Sequence, residues 1–395
     1  MEINDMGYFK DMMTEMEEEG AMHPFRGNKK VCAKHFNDQY LHDYIKNKGQ
    51  IDECSYCGDK TSPVLSMKDF MEYIEDKLCD RFRTLDEANL PLASTYYEED
   101  EEEIPGLSRA GYYAVPASTE RCENVNKMLS AYGLLTLNEE LNDDISACFD
   151  EGVWIKKNIF EEDLDVELSY AWESFCEIVK YKRRYTYYND KDFVGQEKWK
   201  EDVLTEVMNL CKELLVLSLP KGTLIYRGRI NDTGKPFDKF KDLTAPPVDS
   251  AKENRMSPEG ISMFYGAFDR YTPIKEIRNY NLKSTIDLGK FKTKKELFVI
   301  DLCKIPDKIS FWMPQYFSEY KFLKKFHSEI TKPVDKNPGI EYVPTQVFTE
   351  YIRFMNIQHL DGIIYRSSQT NLRNVVLFYD NKTSHEILQL IDVDR

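Results

Sequence analysis

The sequence predicts an α+β protein, with a helical first half followed by a strand-rich second half. Amphipathic stripes at helical spacing dominate up to residue 217, and short apolar strands dominate after Pro220 and Gly222. Two pairs of Cys and His residues precede the helices and indicate a metal-binding element. We therefore expect three parts: a lead-in with the Cys/His element over residues 1–62, a helical domain over 63–217, and a mixed α/β domain over 218–395.

The composition is that of an acidic globular chain. It has 395 residues, 42% of them hydrophobic, and a formal net charge of -16. That length suits two or three domains, and that charge argues against binding duplex nucleic acid across the whole surface. The sequence shows no apolar opening segment and no apolar run of bilayer length. We therefore expect a cytoplasmic protein with no membrane contact, whose nine cysteines are reduced.

The Cys/His element has the ligand spacing of a zinc site. Cys32 and His35 are separated by two residues, as are Cys54 and Cys57, and Gly58 follows the second pair. Zn²⁺ favours four such ligands in a tetrahedron, and a closed four-ligand site has no open position for catalysis. The sequence predicts a structural Zn²⁺ site, with Gly58 in the tight turn that such a site needs.

Helical stripes follow this element. In SMKDFMEYIEDKLCDRF the apolar residues Met67, Phe70, Met71, Ile74 and Leu78 share one helix face. Similar patterns predict helices over 120–132, 138–150, 163–183 and 196–217.

The second half is predicted to alternate short strands with turns. The stretch Arg255–Arg278 indicates a turn, a strand over 261–268, and a helix that begins at Pro273 after a cap in 269–272. Further strands are predicted over 297–302, 362–365, 375–379 and 387–391.

Several polar residues accompany these apolar strands. A buried charge needs a partner, so Arg255 and Glu276 form either an internal ion pair or a ligand site, and the residues alone leave both open. The candidate site residues are Arg227, Arg229, Arg255, Tyr265, Glu276, Gln346, Ser367 and Ser368.

The order of these motifs resembles that of the RES domain family. The arginine of YRGR, the stretch RMSPEGISMFYGAFD with KEIR, and DGIIYRSS follow one another over residues 220 to 380. The preceding part resembles the HEPN-like N-terminal region that some RES proteins carry. The resemblance implies a fold similar to that of ADP-ribosyltransferases, and an enzyme that degrades NAD⁺.

The resemblance also implies roles for individual residues. Many members have a glycine before the second arginine, where this chain has Asn254. Glu276, Arg255 and Ser367 match the catalytic positions, and Arg227 and Tyr265 match the first arginine and the pocket tyrosine. Arg229, Ser368 and Gln346 are added as NAD⁺-binding candidates.

The chemistry of NAD⁺ suits this residue set. Nicotinamide leaves as a neutral molecule, so no acid is needed to protonate it, and one carboxylate can stabilise the oxocarbenium-like ribose. Arginines can hold the diphosphate through paired hydrogen bonds. The acceptor is inorganic phosphate as a co-substrate, or water. The resemblance implies a toxin or phage-defence effector, with an antitoxin or trigger protein and a homo-oligomer as candidate partners.

Two other functions stay open at this stage. The same chemistry could transfer ADP-ribose to a macromolecule. Alternatively, the N-terminal region could bind RNA, or a partner protein through its zinc element. The segment KYKRRYTYY (180–188) mixes basic and aromatic residues that could contact nucleic acid, but the acidic net charge favours a helix end whose tyrosines pack and whose cations pair with nearby Glu. HEPN nucleases use an Arg and a His a few residues apart, and the first half shows no such pair. Arg353 and His359 have that spacing but lie in the RES-like part.

Overall fold

The computed structural model forms two compact units. The N-terminal unit comprises Met1–Glu162 with Ile309–Phe317, and the C-terminal unit comprises Asp163–Lys308 with Ser318–Arg395. The predicted helices over 163–183 and 196–217 thus belong to the C-terminal unit, and the domain limits at residues 62 and 217 stay predictions. The structure describes residues 22–88, 121–157, 163–186, 203–231, 234–280, 285–313, 315–332, 338–354 and 359–394.

The N-terminal unit combines helices with two small antiparallel sheets, ordered β1-β3-β2 and β4-β6-β5. Its core includes Trp312 from the returning segment, whose indole donates to Tyr132 O over 2.7 Å. The first part of the predicted lead-in, residues 1–21, lies outside the described residues. Its elements are β1 (Lys30–Cys32), α1 (Gln39–Lys48), β2 (Gln50–Ile51), β3 (Pro63–Ser66), α2 (Met67–Cys79), β4 (Phe82–Thr84), α3 (Leu85–Ala88), β5 (Arg121–Cys122), α4 (Val125–Ala131), α5 (Glu139–Ser146) and β6 (Trp154–Lys156).

The C-terminal unit is built on one mixed eight-stranded sheet, ordered β14-β10-β8-β9-β13-β12-β11-β7. Only the pair β11–β12 is parallel among these strands. Its elements are α6 (Leu164–Glu177), α7 (Val203–Leu215), β7 (Val216–Leu219), β8 (Leu224–Asn231), α8 (Phe240–Leu243), β9 (Phe264–Ala267), α9 (Tyr271–Tyr280), β10 (Thr285–Thr293), β11 (Leu297–Asp301), α10 (Phe317–Thr331), α11 (Pro338–Glu341), α12 (Val343–Phe354), β12 (Gly362–Arg366), β13 (Arg373–Leu377), α13 (Ser384–Ile387) and β14 (Leu388–Asp394).

Both faces of this sheet are buried, which explains the continuous apolar runs in its central strands. Neighbouring residues point to opposite faces: Ile363 joins the cluster that includes residues of α6, α7, α10 and α12, whereas Ile364 joins the cluster on the other face. The two clusters fix the register of β12, because a shift by one residue would exchange its faces.

The sequence predictions for the second half need correction in three places. Helices α10 and α12 interrupt a region expected to hold mainly short strands, and the nine-residue strand β10 was not predicted. Helix α9 begins at Tyr271 rather than Pro273, and the expected cap is Asp269, whose Oδ1 accepts from the backbone N–H of Thr272 over 2.7 Å. Across the described ranges, no helix has the length and apolar character needed to span a bilayer.

Candidate active site and metal centre

Six of the eight predicted site residues line a single cleft of about 530 Å³ in the C-terminal unit. The cleft lies beside strands β8, β9, β12 and β13 and helix α9. The two residues that do not line it are Arg229 and Gln346. The six that do are Arg227, Arg255, Tyr265, Glu276, Ser367 and Ser368.

Gly228 lets the helix that carries Glu276 lie close to the sheet. A Cβ at Gly228 would stand 2.8 Å from Cδ1 of Ile277, so a larger residue there would require the Ile277 side chain to shift. The glycine of the YRGR motif therefore leaves room for the side chains of α9 that pack against β8.

Glu276 is held by two neutral donors. Its Oε1 accepts from Oγ of Ser367 over 2.6 Å and from Nδ2 of Asn374 over 2.8 Å. No described residue donates to Oε2, and none forms an ion pair with this carboxylate. One oxygen thus fixes the orientation of the group, and the other is left for a ligand in the cleft.

The turn after β12 presents the Ser367 hydroxyl. The N–H of Ser367 donates to Leu372 O, and its carbonyl accepts from Asn371 N–H, both over 2.8 Å. Asn371 has φ 59, a left-handed conformation that asparagine tolerates better than most residues. The SSQTN sequence therefore forms a tight loop that holds Ser367, 3% exposed, against Glu276.

Arg227 brings an unbalanced positive charge into the cleft. Its Nη1 donates to Tyr265 O over 2.6 Å, while its buried Nε has no hydrogen-bond partner within the described part of the chain. Burial lowers the pKa of Arg227, and the neighbouring Arg229 lowers it further. A half-buried guanidinium with an unused donor suits a negatively charged ligand, because such a ligand would compensate both its charge and its hydrogen bonding.

The alternative of an Arg255–Glu276 ion pair is wrong, since the described contacts of both residues lie elsewhere. Arg255 donates through Nη1 to Ile330 O over 2.5 Å and through Nη2 to Lys332 O over 2.8 Å. A guanidinium has five N–H groups, so these two bonds fix its position and leave donors for a ligand. The Arg255 guanidinium also lies over the ring of Tyr342, with its central carbon 5.0 Å from the ring centroid, and this cation–π contact helps to fix its position.

Gln346 supports the loop that carries Arg255. Its Nε2 donates to Asn254 O over 2.9 Å and approaches Glu253 Oε1 at 3.3 Å. Asn254 and Ser257 exchange two backbone hydrogen bonds across this turn, and Asn254 does not take a left-handed conformation, so glycine is not required there. The side chain of Gln346 thus lies behind the cleft wall.

Arg229 lies on the same strand as Arg227 but outside the cleft. Burial lowers the pKa of Arg229, and the Asp242 carboxylate of helix α8 opposes that shift. The charge of Arg229 is thus close enough to affect the pKa of Arg227, although Arg229 itself does not line the cleft.

Asn374 and Tyr365 are among the polar cleft residues that the sequence interpretation missed. Asn374 is opposite Tyr365 in the β12–β13 pairing, and both line the cleft with Glu276. Burial raises the pKa of Tyr365, and the Glu276 carboxylate raises it further, so the phenol stays protonated at neutral pH. Burial also raises the pKa of the half-buried Tyr265, whose hydroxyl lies 2.9 Å from Ser257 Oγ.

The four predicted metal ligands converge in the N-terminal unit. The ligand atoms of Cys32, His35, Cys54 and Cys57 all lie within 4.8 Å of one another. The Sγ atoms of Cys32 and Cys57 are 3.7 Å apart, and Cys54 Sγ is 3.4 Å from His35 Nε2. Tetrahedral zinc requires about 3.8 Å between two sulfurs and about 3.5 Å between sulfur and nitrogen. The cluster therefore fits a tetrahedral ion, and Gly58 has the left-handed φ of 67 expected for its turn.

Replacing Ser367 by alanine tests how Glu276 is held. We expect Ser367→Ala to lower kcat for NAD⁺ cleavage about tenfold, because one of two hydrogen bonds to a charged group is lost. The KM should change little, since Asn374 still holds Oε1. Ser368→Ala is the matched control, because Ser368 lines the cleft without a hydrogen bond to Glu276. Equal kcat values in the two variants would contradict this role.

Gln346→Ala should weaken NAD⁺ binding without a comparable loss of kcat. The change removes one of the two donors to the carbonyl of Asn254, leaves only the N–H of Ser257, and so loosens the Arg255 loop. We therefore expect KM to rise about tenfold, the equivalent of about 1.4 kcal/mol. The isosteric Gln346→Glu should be at least as damaging, because a carboxylate cannot donate to Asn254 O and repels Glu253. The KM and kcat of both variants are measured by steady-state kinetics. A wild-type KM in Gln346→Glu would contradict a supporting role for Gln346.

Comparisons with known proteins agree with the arrangement of the two regions. The model of HEPN/RES N-terminal domain 1 matches residues 47–193, and the model of the RES domain matches residues 228–392. The chain thus contains a RES domain preceded by a HEPN/RES N-terminal domain. No curated protein shows significant similarity to it.

A solved structure is also similar to part of the chain. It is the crystal structure of the M. tuberculosis MbcT–MbcA toxin–antitoxin complex, at 12% identity and a TM-score of 0.30. The match covers 48% of this chain and 90% of that chain. A similarity of this size does not define a function.

Proposed function

We propose that this protein cleaves the bond between nicotinamide and ribose in NAD⁺. The observation that carries the proposal is the state of Glu276: a carboxylate in a cleft, oriented through Oε1 by two neutral donors, with Oε2 directed to no described residue. The match of residues 228–392 to the RES domain supports NAD⁺ as the substrate.

The proposed reaction needs few groups. As the C1′–N bond breaks, its electron pair passes to the pyridinium nitrogen, and nicotinamide leaves neutral. Glu276 then faces a ribose carbon with developing positive charge, and a fixed carboxylate stabilises that charge without reorganisation. The acceptor oxygen bonds to C1′ and, in the case of water, releases its proton to solvent. Ser367 and Asn374 keep the carboxylate in place throughout.

Arginines in the cleft are proposed to hold the negative part of the substrate. Arg227 offers a buried, unused Nε, and Arg255 is positioned by two main-chain carbonyls with donors to spare. Guanidinium groups bind phosphate oxygens through paired hydrogen bonds, which fixes both distance and direction. Tyr265 and Tyr365 supply protonated phenol rings against which the nicotinamide or ribose can pack.

We further propose that the Cys/His cluster holds a structural Zn²⁺. Cys32, His35, Cys54 and Cys57 would hold it, and their number satisfies tetrahedral coordination without an open position. The ion would cross-link the β1 segment to the loop before β3. It would take no part in the chemistry of the cleft.

The acceptor is decided by product analysis. Purified protein is incubated with NAD⁺, with and without inorganic phosphate, and the products are identified by mass spectrometry. Nicotinamide with a phosphorylated ADP-ribose, formed only with phosphate, indicates phosphorolysis. Nicotinamide with plain ADP-ribose indicates hydrolysis. ADP-ribose attached to protein or nucleic acid would instead indicate transfer to a macromolecule.

Depletion of NAD⁺ would arrest a cell, so we propose a toxin or defence role held in check by an antitoxin or trigger protein. Expression of the wild-type chain should stop growth and lower cellular NAD⁺, and Glu276→Ala should relieve both effects. Arrest that persists in Glu276→Ala, at equal expression, would count against this role.

A nucleic-acid function has less support. In the basic segment of the second unit, Lys180 pairs with Glu341 at 2.6 Å and Lys182 with Glu177 at 3.2 Å. These lysines are therefore engaged with carboxylates rather than presented to a phosphate backbone. Tyr187 and Tyr188 lie outside the described residues.

A further inference from the structure

A second cavity of about 500 Å³ adjoins the cleft in the C-terminal unit. We call it the side pocket. Four residues line both cavities, so the two share one wall: Thr331, Arg366, Ser367 and Ser368. Because Ser367 holds Glu276 from this wall, a ligand long enough to cross it would reach both cavities.

One face of helix α10 forms a side of this pocket. Lys324, His327, Ser328 and Thr331 are spaced three, one and three residues apart, which places them on one helix face. Apolar residues after strand β11 also line the pocket, including Leu302, Ile305 and Pro306. The pocket therefore combines apolar surface with polar groups, as sites for heterocyclic ligands do.

The charge of the side pocket is positive in an otherwise acidic chain. Lys324, Lys332 and Arg366 line it, against one lining carboxylate, Asp307. That carboxylate is 88% exposed and lies 3.2 Å from Arg366. Exposure weakens this ion pair, so an anion at the shared wall would still meet a favourable field.

His327 supplies an unused polar atom inside the pocket. Its Nε2 is buried and has no hydrogen-bond partner in the described ranges. Burial lowers the pKa of His327 to about 4, with a further contribution from Arg366, so the imidazole is neutral at pH 7. A neutral imidazole suits a hydrogen bond with an uncharged heterocycle better than it suits a phosphate.

We propose that the side pocket binds the purine nucleotide half of a dinucleotide whose nicotinamide half occupies the cleft. This inference rests on the proposed function. The base lies near His327 and the apolar residues, and the diphosphate crosses the wall at Arg366. Arg255 is suited to the same crossing, because it bonds to the carbonyls of Ile330 and Lys332 on either side of Thr331.

The size of the side pocket favours a nucleotide, rather than the acceptor phosphate, as its ligand. Cavities of about 300–1,000 Å³ enclose molecules of drug size. The side pocket, at about 500 Å³, lies within that range, and an inorganic phosphate would fill only a small part of it. A nucleoside with its phosphate is of the right size and carries both an apolar ring and a negative charge.

The test is binding of AMP, measured by calorimetry on the purified full chain. Ser328→Trp fills the pocket from an exposed helix position, and His327→Ala removes the unused nitrogen. Both should weaken AMP binding at least tenfold. Lys325→Ala is the matched control on the same helix, because Lys325 pairs with Glu173 at 2.7 Å and does not line the pocket. Circular dichroism confirms that each variant is folded.

Kinetics separate a substrate subsite from a regulatory site. AMP should inhibit NAD⁺ cleavage competitively, and Ser328→Trp should lower kcat/KM for NAD⁺ at least tenfold more than for nicotinamide mononucleotide, which lacks the AMP half. Non-competitive inhibition, or AMP affinity equal in wild type and Ser328→Trp, would overturn the inference. The inference would also be overturned if AMP did not bind and these variants weakened the binding of inorganic phosphate instead. If AMP binds as expected but NAD⁺ is not cleaved, the subsite stands and the proposed function fails.

Discussion

Glu276→Gln should reduce NAD⁺ cleavage on the order of 10²–10³-fold, the usual effect of removing one preorganised group that stabilises the transition state. The amide keeps the shape of the side chain, and its oxygen can still accept from Ser367 and Asn374. Only the negative charge facing the ribose is lost. The loss should therefore appear in kcat, with KM changed little and the thermal midpoint close to that of wild type.

Glu259→Gln is the matched control for this change. Glu259 is exposed in the turn before β9 and does not line the cleft, so the same substitution there should leave kcat unchanged. Release of nicotinamide is followed for both variants under saturating NAD⁺. Turnover of Glu276→Gln within a few-fold of wild type would show that the carboxylate does not act on the reacting carbon.

Loss of the proposed Zn²⁺ should destabilise the N-terminal unit strongly. Cys57 is the exposed member of the cluster, so Cys57→Ser removes a ligand with little loss of apolar packing. We expect the zinc content to fall from about one ion per chain to near zero. Losing a structural metal belongs to the class of changes that cost more than about 4 kcal/mol, and each kcal/mol lowers the midpoint of a unit of this size by about 2–4 °C.

The measurement combines metal analysis with thermal unfolding. Cys79→Ser is the control, because Cys79 lies in the same unit, is partly buried and is outside the cluster. A strong chelator should reproduce the effect of Cys57→Ser in the wild-type chain and add nothing to the variant. A wild-type midpoint after complete metal removal would contradict a structural role for the ion.

Local patterns in the sequence were sufficient for many of the helices. The stripe of Met67, Phe70, Met71, Ile74 and Leu78 predicted helix α2, since one apolar face at period 3.6 is a strong signal, although the helix ends at Cys79 rather than at Phe82. Helix α10 has a similar stripe in Phe322, Leu323, Phe326 and Ile330, so its signal was present and overlooked.

Strands that depend on distant partners were harder to predict. Strand β10 has a register shift between Lys290 and Phe291 against β14, and this bulge breaks the period-two pattern on which a sequence prediction depends. Strand β7 follows helix α7 without a turn residue, so the helix was expected to continue to residue 217. Pairing with β11 overrides that local preference from Val216 onward.

The candidate site likewise combines residues that local motifs predict with residues that only tertiary pairing brings into place. Residues within recognisable motifs, such as Arg227, Glu276 and Ser367, could be named from the sequence, and the structure brings them to one cleft. Asn374 could not, because only the pairing of β12 with β13 carries it to Glu276. Gln346 could be named from its motif in the sequence. Its position behind the Arg255 loop could not be predicted, because that position depends on tertiary packing.

The most direct test of the proposed function follows NAD⁺ and nicotinamide together in a reaction of the purified wild-type chain. The proposal predicts that nicotinamide appears mole for mole with the NAD⁺ consumed, and that Glu276→Gln slows both by the same factor. Intact NAD⁺ with and without phosphate, in protein that has been freed of any co-purified partner and is folded, would contradict it.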